Sequence, residues 1–213
     1  HVFYGLPGTG KTFRLFQIAI NHAIEGQKVL FCCYNTVLAA DIKRLIQLTH
    51  IAREEANKIS DFLPNITVTT ISSLLKTVAK TLNVIEEIPP EEESQWASMI
   101  VEDLTNLMEM KTEFVWDTIC IDEFQDLDIN YTNLALGLAR NNSDVLIGYG
   151  PMQEVYKQLN QLDKEQFLRE RNFEFEYLND NYRNEKSVYE FAERYMEKKN
   201  LLSPELLAIP EDL

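Results

Sequence analysis

Eight residues near the start of the chain, Gly5-Leu6-Pro7-Gly8-Thr9-Gly10-Lys11-Thr12, have the types and spacing of a loop that holds phosphate. Glycines let such a loop wrap until several backbone N–H groups converge on one anion, and a following helix N-terminus adds its dipole. Lys11 places a cation on the β- and γ-phosphates, and the Thr12 hydroxyl is a hard oxygen ligand suited to Mg2+. Three of the chain's seven glycines fall in these eight residues, so backbone freedom is concentrated here. The chemistry implied is binding of a nucleoside triphosphate together with Mg2+.

A second cluster, Ile119-Cys120-Ile121-Asp122-Glu123-Phe124-Gln125-Asp126, is an apolar run that delivers carboxylates at its end. Open α/β sheets build their sites at that edge of the strands. Asp122 is placed to hold Mg2+, and Glu123 to orient or deprotonate a water in line with the γ-phosphate. Combined with the upstream loop, the pair implies hydrolysis rather than binding alone.

The elements that must carry these residues alternate between strand and helix. Val2–Tyr4 is a strand that enters the Gly-rich turn. Lys11 to about Glu25 has helical spacing, with Gly26 as its stop. Lys28–Cys33 is continuously apolar, as a parallel strand buried on both faces must be. Helices are predicted over Val37–Leu48, Ala52–Leu63, Ser72–Leu82, Ser94–Met110, Tyr131–Arg140, Val155–Leu162 and Glu185–Lys198. Further strands are predicted at Ile66–Thr70, Thr118–Ile121, Val145–Tyr149 and Phe173–Leu178. Asn83–Glu93, with Pro89, Pro90 and five glutamates, reads as an exposed loop. Phe13, Phe16, Phe31 and Phe124 sit at core spacings. This alternation argues for an α/β fold with a mostly parallel central sheet flanked by helices.

With the order of motifs established, Asp122–Asp126 resembles the DExQD box of superfamily 1 helicases of the UvrD/Rep type, and the likeness covers nearly the whole chain. The resemblance implies a RecA-like P-loop NTPase domain that couples ATP hydrolysis to movement along single-stranded DNA. Lys28–Ala40 resembles the family's second segment, with Asn35 the best match to a DNA contact. Thr67–Leu74 resembles the next DNA-contact segment through Thr70 and Ser73, although Ser72 stands where a histidine is common. Val145–Tyr156 resembles the GDxxQxxY segment, in which Gln153 would sense the γ-phosphate. Leu178–Arg183 resembles LxxNYR, in which Arg183 would reach the γ-phosphate and Tyr182 would stack near the base. Tyr149 and Gly150 depart from the family's GD pair, and the subdomain usually inserted before DExQD is short here.

The resemblance thus implies one ATP-binding domain over 1–199, with a short acidic insertion around 83–113. Residues 200–213 would form a tail or the start of a linker to a second RecA-like domain, in the same or a partner chain. A different class stays open beside the helicase reading: a nucleotide-gated regulatory or scaffold ATPase, for example in a defence or nuclease system, with no unwinding.

Composition bounds these readings. Apolar residues at 45% and charged residues at 25% exclude a disordered tail or a fibre. No apolar run is long enough to span a bilayer, so no membrane partner is expected. Cys32, Cys33 and Cys120 lie in apolar runs without metal spacing, which suits reduced core thiols and a cytoplasmic location. His22 and His50 have no metal-spaced partners, so Mg2+ is the one metal implied. The net charge of −14 is uneven: residues 1–85 carry nine basic and five acidic side chains, the rest eleven and twenty-nine. Contact with nucleic acid is therefore expected to be local and to lie in the first 85 residues.

Overall fold

A run such as Val29–Cys33 has no polar face to give to water, so it is stable only inside a sheet covered on both sides. The computed structural model, which describes residues 1–55, 61–83, 88–110, 115–150, 161–182 and 194, has that architecture. The elements are β1 (Val2–Gly5), α1 (Lys11–Ile24), β2 (Val29–Cys33), α2 (Thr36–Glu55), β3 (Ile66–Thr70), α3 (Ile71–Thr81) and α4 (Glu93–Met110). They continue with β4 (Trp116–Ile121), α5 (Ile129–Gly137), β5 (Ala139–Tyr149), α6 (Gln161–Glu170) and β6 (Phe175–Leu178). The six strands form one sheet in the order β3-β2-β4-β5-β1-β6, and every neighbouring pair is parallel. This is the α/β, RecA-like arrangement, in which the strand entering the phosphate loop (β1) and the strand ending in carboxylates (β4) flank a third, β5.

Alternation along each strand sends side chains to two cores. Phe31, Cys33 and Cys120 meet Leu15 and Ala19 of α1 and Ile42 and Ile46 of α2 on one face. Leu30, Cys32 and Ile119 meet Leu75 and Val78 of α3, Ala97 of α4, Leu134 of α5 and Leu168 of α6 on the other. All three cysteines are buried and free, and burial pushes the Cys33 thiol up to about 12. Side-chain caps start the helices where the sequence supplies them. Asn35 Oδ1 accepts from Leu38 N at 2.7 Å, Thr70 Oγ1 from Ser73 N at 3.2 Å, and Asp128 Oδ1 from Asn130 N at 2.7 Å.

Four expectations about elements need correction. The break expected between helices at 37–48 and 52–63 is absent: α2 runs through it from Thr36 to Glu55, and a 3-10 turn stands at Leu63–Asn65. No Gly or Pro interrupts 49–51, and the Thr49 hydroxyl donates back to Leu45 O at 2.8 Å. The helix expected to reach Arg140 ends at Gly137, so Arg140 belongs to β5, where its guanidinium pairs with Asp117 of β4 at 2.5 Å. Glu93, expected in an exposed loop, opens α4 and is buried, because Ser72, Lys76 and Tyr131 all bind its carboxylate. Finally, a charged helix, α6, occupies 161–170, beyond the helix expected at 155–162. Residues 56–60 and 155–160 of the expected helices, residues 84–87 of the expected loop, the helix at 185–198 (residue 194 apart) and the tail at 200–213 lie outside the described residues.

Candidate functional site

The parallel sheet brings the C-terminal ends of β1, β4 and β5 to one edge. Register pairs Tyr4 with Tyr149 and Ile119 with Val145, so Gly5 and Asp122 leave the sheet on either side of Gly148–Gly150. Between β1 and α1 the chain makes its turn with Gly8 at φ 87° and Gly10 at φ 86°. Both lie in the left-handed region, where a side chain costs about 1–2 kcal/mol. The turn is held from inside: Thr9 Oγ1 donates to Leu6 O at 2.8 Å, and Lys11 Nζ donates to Gly5 O at 2.8 Å and Leu6 O at 3.0 Å. Lys11 is only 6% exposed, so its ammonium is anchored at the floor of the turn.

Pro7, Gly8, Gly10, Lys11, Thr12, Glu123 and Tyr182 line one cavity of about 500 Å3. The loop after β6 closes over it. Tyr182 N donates to Gly8 O at 2.9 Å and Asn181 Nδ2 to Pro7 O at 2.7 Å. The Tyr182 ring, largely exposed, lies over Gly10, within 3.7 Å of where a Cβ there would stand. Phe13, Phe16, Ile42 and Leu45 complete the wall with an apolar shelf. Phe31 and Phe124 are fully buried as expected, but Phe13 is 61% exposed at this shelf and is not a core residue. It belongs to the first turn of α1, which projects from the sheet edge.

Asp122 is fully buried behind the cavity. Its Oδ1 accepts the Glu123 N–H at 3.0 Å, while Oδ2 has no hydrogen-bond partner. Burial pushes its carboxyl up to about 6, and the neighbouring Glu123 charge adds to that. The Thr12 hydroxyl, the Glu123 N–H and the Lys11 ammonium pull in the other direction. Thr12 is thus close enough to act on the carboxylate, though not in a geometry that satisfies Oδ2. An orphaned buried carboxylate oxygen beside a hydroxyl is a hard-oxygen donor set, and it fits Mg2+, which takes one or two protein ligands and completes its shell with phosphate and water. Gly148 is what leaves room for this carboxylate, since a Cβ there would stand 2.7 Å from Asp122 Oδ1.

Glu123 sits at φ 53°, ψ 46°, a left-handed conformation that is uncommon for a glutamate and is held in place by its surroundings. Gln125, 1% exposed, donates from Nε2 to Glu123 Oε2 and accepts the Gly150 N–H on Oε1 at 2.9 Å. Glu123 thus lines the cavity of the phosphate turn with its carboxylate held by a buried partner.

Of the residues singled out in the sequence, Gly5, Pro7, Gly8, Thr9, Gly10, Lys11, Thr12, Asp122, Glu123 and Tyr182 come together around this cavity. Gln153 and Arg183 lie outside the described residues. Asn35, Thr70 and Ser73 do not line the cavity: Asn35 follows β2, Thr70 ends β3 and Ser73 lies in the first turn of α3. The Cys33 thiol reaches both Asn35 O at 3.6 Å and Thr69 O at 3.8 Å, so those two segments adjoin. The Asn35 and Thr70 side chains are spent on helix caps, and Thr70 is buried. Sequence reading assigned nothing to Gln125, Asn181, Gly148 or Lys164. The first three lie inside segments quoted for the resemblance and are legible as candidates there. Lys164 carries no local signal.

No protein-family model matches the chain, and no curated protein matches it. Among solved structures, the AMPPCP-bound DnaA from Aquifex aeolicus aligns with a TM-score of 0.42 and 13% identity, over 96% of this chain and 47% of that one. The chain spans about half the length of that protein.

Proposed function

We propose that the chain binds ATP with Mg2+ and hydrolyses it, as the ATP-binding motor domain of a single-stranded-DNA-dependent ATPase of the helicase type. The observation that carries the hydrolytic part is the orphaned, buried Asp122 oxygen beside Thr12, set behind a cavity that Lys11 and Glu123 share. In this reading the phosphate turn and Lys11 hold the β- and γ-phosphates, while Thr12 and Asp122 hold Mg2+. Bound there, the ion supplies positive charge to neutralise the phosphate oxygens as charge builds on them. Glu123 orients a water towards the γ-phosphate and takes its proton as the water oxygen bonds to the γ-phosphorus and the bond from that phosphorus to the β–γ bridging oxygen breaks, its electron pair leaving with ADP, so that ADP and phosphate result. Tyr182 and Phe13, which line the same cavity, offer the base an aromatic surface. Gln153 and Arg183 are assigned to the γ-phosphate by the family resemblance alone.

The DNA part rests on the motif order. Asn35, Thr70 and Ser73 lie on adjoining turns in the half of the chain that is net basic. A second reading, a nucleotide-gated regulatory or scaffold ATPase, is favoured by the use of Asn35 and Thr70 as caps and by Gly150 in place of an aspartate. One experiment separates them: steady-state ATP hydrolysis with and without single-stranded DNA. Stimulation of tenfold or more supports the motor reading. Hydrolysis indifferent to DNA supports the switch or scaffold.

A further inference from the structure

Lys164 is fully buried, and lysine is almost never found so unless it binds something. Removing an ammonium from water costs several kcal/mol, and a methionine or leucine would fill the same space without that penalty. Nor does α6 need this lysine to stay in place. Phe167 and Leu168 enter the core, the Arg171 guanidinium lies 3.7 Å above the Phe167 ring, and Glu165 accepts the Tyr4 hydroxyl at 2.5 Å. The ammonium is directed instead at the main chain of the carboxylate box, where Lys164 Nζ donates to Gln125 O.

That carbonyl belongs to the 3-10 turn Phe124–Asp126, which begins immediately after Glu123. Gln125 is therefore held through three of its atoms at once. Its carbonyl takes Lys164, its Oε1 takes the Gly150 N–H at the end of β5, and its Nε2 binds Glu123 Oε2. Glu123 itself is in a left-handed conformation, so its carboxylate keeps its aim only while the following turn is fixed.

We infer that Lys164 is a positioning residue for the Glu123 carboxylate, acting through Gln125. The inference rests on the hydrolytic reading of Glu123 given above. Lys164 does not touch the cavity. It fixes the peptide that carries Gln125, and Gln125 fixes the base. A charged hydrogen bond to a buried carbonyl is stronger than a neutral one, which is the reason to place an ammonium there.

The test compares the parent with Lys164→Met, Gln125→Ala and the double variant. The readouts are kcat for Mg·ATP, Kd for a fluorescent non-hydrolysable ATP analogue, and the thermal midpoint. Lys164→Met should lower kcat at least tenfold while Kd stays within twofold. Gln125→Ala should do the same, and the double variant should be no slower than the slower single one within twofold, because both act on one contact. Should Lys164→Met fail to fold, Lys164→Gln carries the same test, since its side chain is one atom shorter and stays polar. A folded Lys164 variant with parental kcat overturns the inference, as does a parallel loss of kcat and Kd. Multiplying effects in the double variant overturn the route through Gln125. An inactive parent overturns the hydrolytic reading itself, whereas an active parent with an indifferent Lys164 variant overturns this inference alone.

Discussion

Replacing Asp122 with asparagine should stabilise the protein in the absence of metal, and by an amount that depends on pH. The carboxyl is fully buried, one oxygen has no partner, and burial raises it from 3.8 to about 6. A carboxyl raised on folding favours the folded state most below its unfolded value and loses that contribution as pH climbs through the folded value. Above pH 6 the native protein holds a charge that it would bind better as the neutral acid. A carboxyl raised that far corresponds to about 3 kcal/mol as an upper bound. Asparagine keeps the shape and the acceptor for the Glu123 N–H but carries no charge. In urea unfolding with EDTA, Asp122→Asn and the parent should therefore differ little at pH 4. The variant should gain through pH 5 and 6 and level off near 2–3 kcal/mol above pH 7, about 5–10 °C in midpoint for a chain of this size. Because the Glu123 charge contributes to the shift, a Glu123→Gln background should reduce the gain. Mg2+ with nucleotide should stabilise the parent and not the variant. A variant that is no more stable than the parent at pH 7.5 would refute the claim that this carboxylate is held at a cost in the folded state.

Two further outcomes follow from the same geometry. Gly148→Ala puts a methyl 2.7 Å from Asp122 Oδ1 and 3.0 Å from Leu15 Cδ1, so it should cost about 1–3 kcal/mol and weaken Mg·ATP binding at least tenfold, measured by urea unfolding and calorimetric titration. Glu93 tests the opposite sign of pH dependence: burial alone would raise its carboxyl, but hydrogen bonds from Lys76, Ser72 and Tyr131 outweigh that and lower it below 4.5. Its contribution is therefore complete above pH 4.5 and lost on acidification, so Glu93→Ala should cost about 1–3 kcal/mol at pH 7 and progressively less as pH falls below 4.5, read from unfolding curves across that range.

Much of the fold was legible because the phosphate turn and the buried strands are local signals. Gly8 and Gly10 must be glycine to turn, and Val29–Cys33 must be covered on both faces. Asp122 and Glu123 were legible by position, at the end of an apolar run. The elements that were misread depend on partners far along the chain. Glu93 looks like loop until Ser72, Lys76 and Tyr131 arrive from α3 and α5 to bind it. Arg140 reads as the end of a helix until Asp117 draws it into the sheet. Phe13 has a core residue's spacing, yet α1 begins at the open edge of the sheet and exposes it. Gly148 lies in a quoted segment, yet its role, a missing Cβ beside a carboxylate, has no trace there; Lys164 is silent, because a lysine aimed at a distant carbonyl leaves no periodic signal. Asn35 and Thr70 show the limit of motif matching, since a residue type that suits a nucleic-acid contact also suits a helix cap.

The central claim is that Glu123 is the base of an ATP-hydrolysing site, and single-turnover hydrolysis by Glu123→Gln measured beside ATP affinity tests it most directly. If Glu123 takes the water's proton, the rate should fall by about 10²–10⁴ with ATP bound as tightly as by the parent, within a few-fold. A Glu123→Gln protein that hydrolysed ATP at the parental rate would contradict the claim.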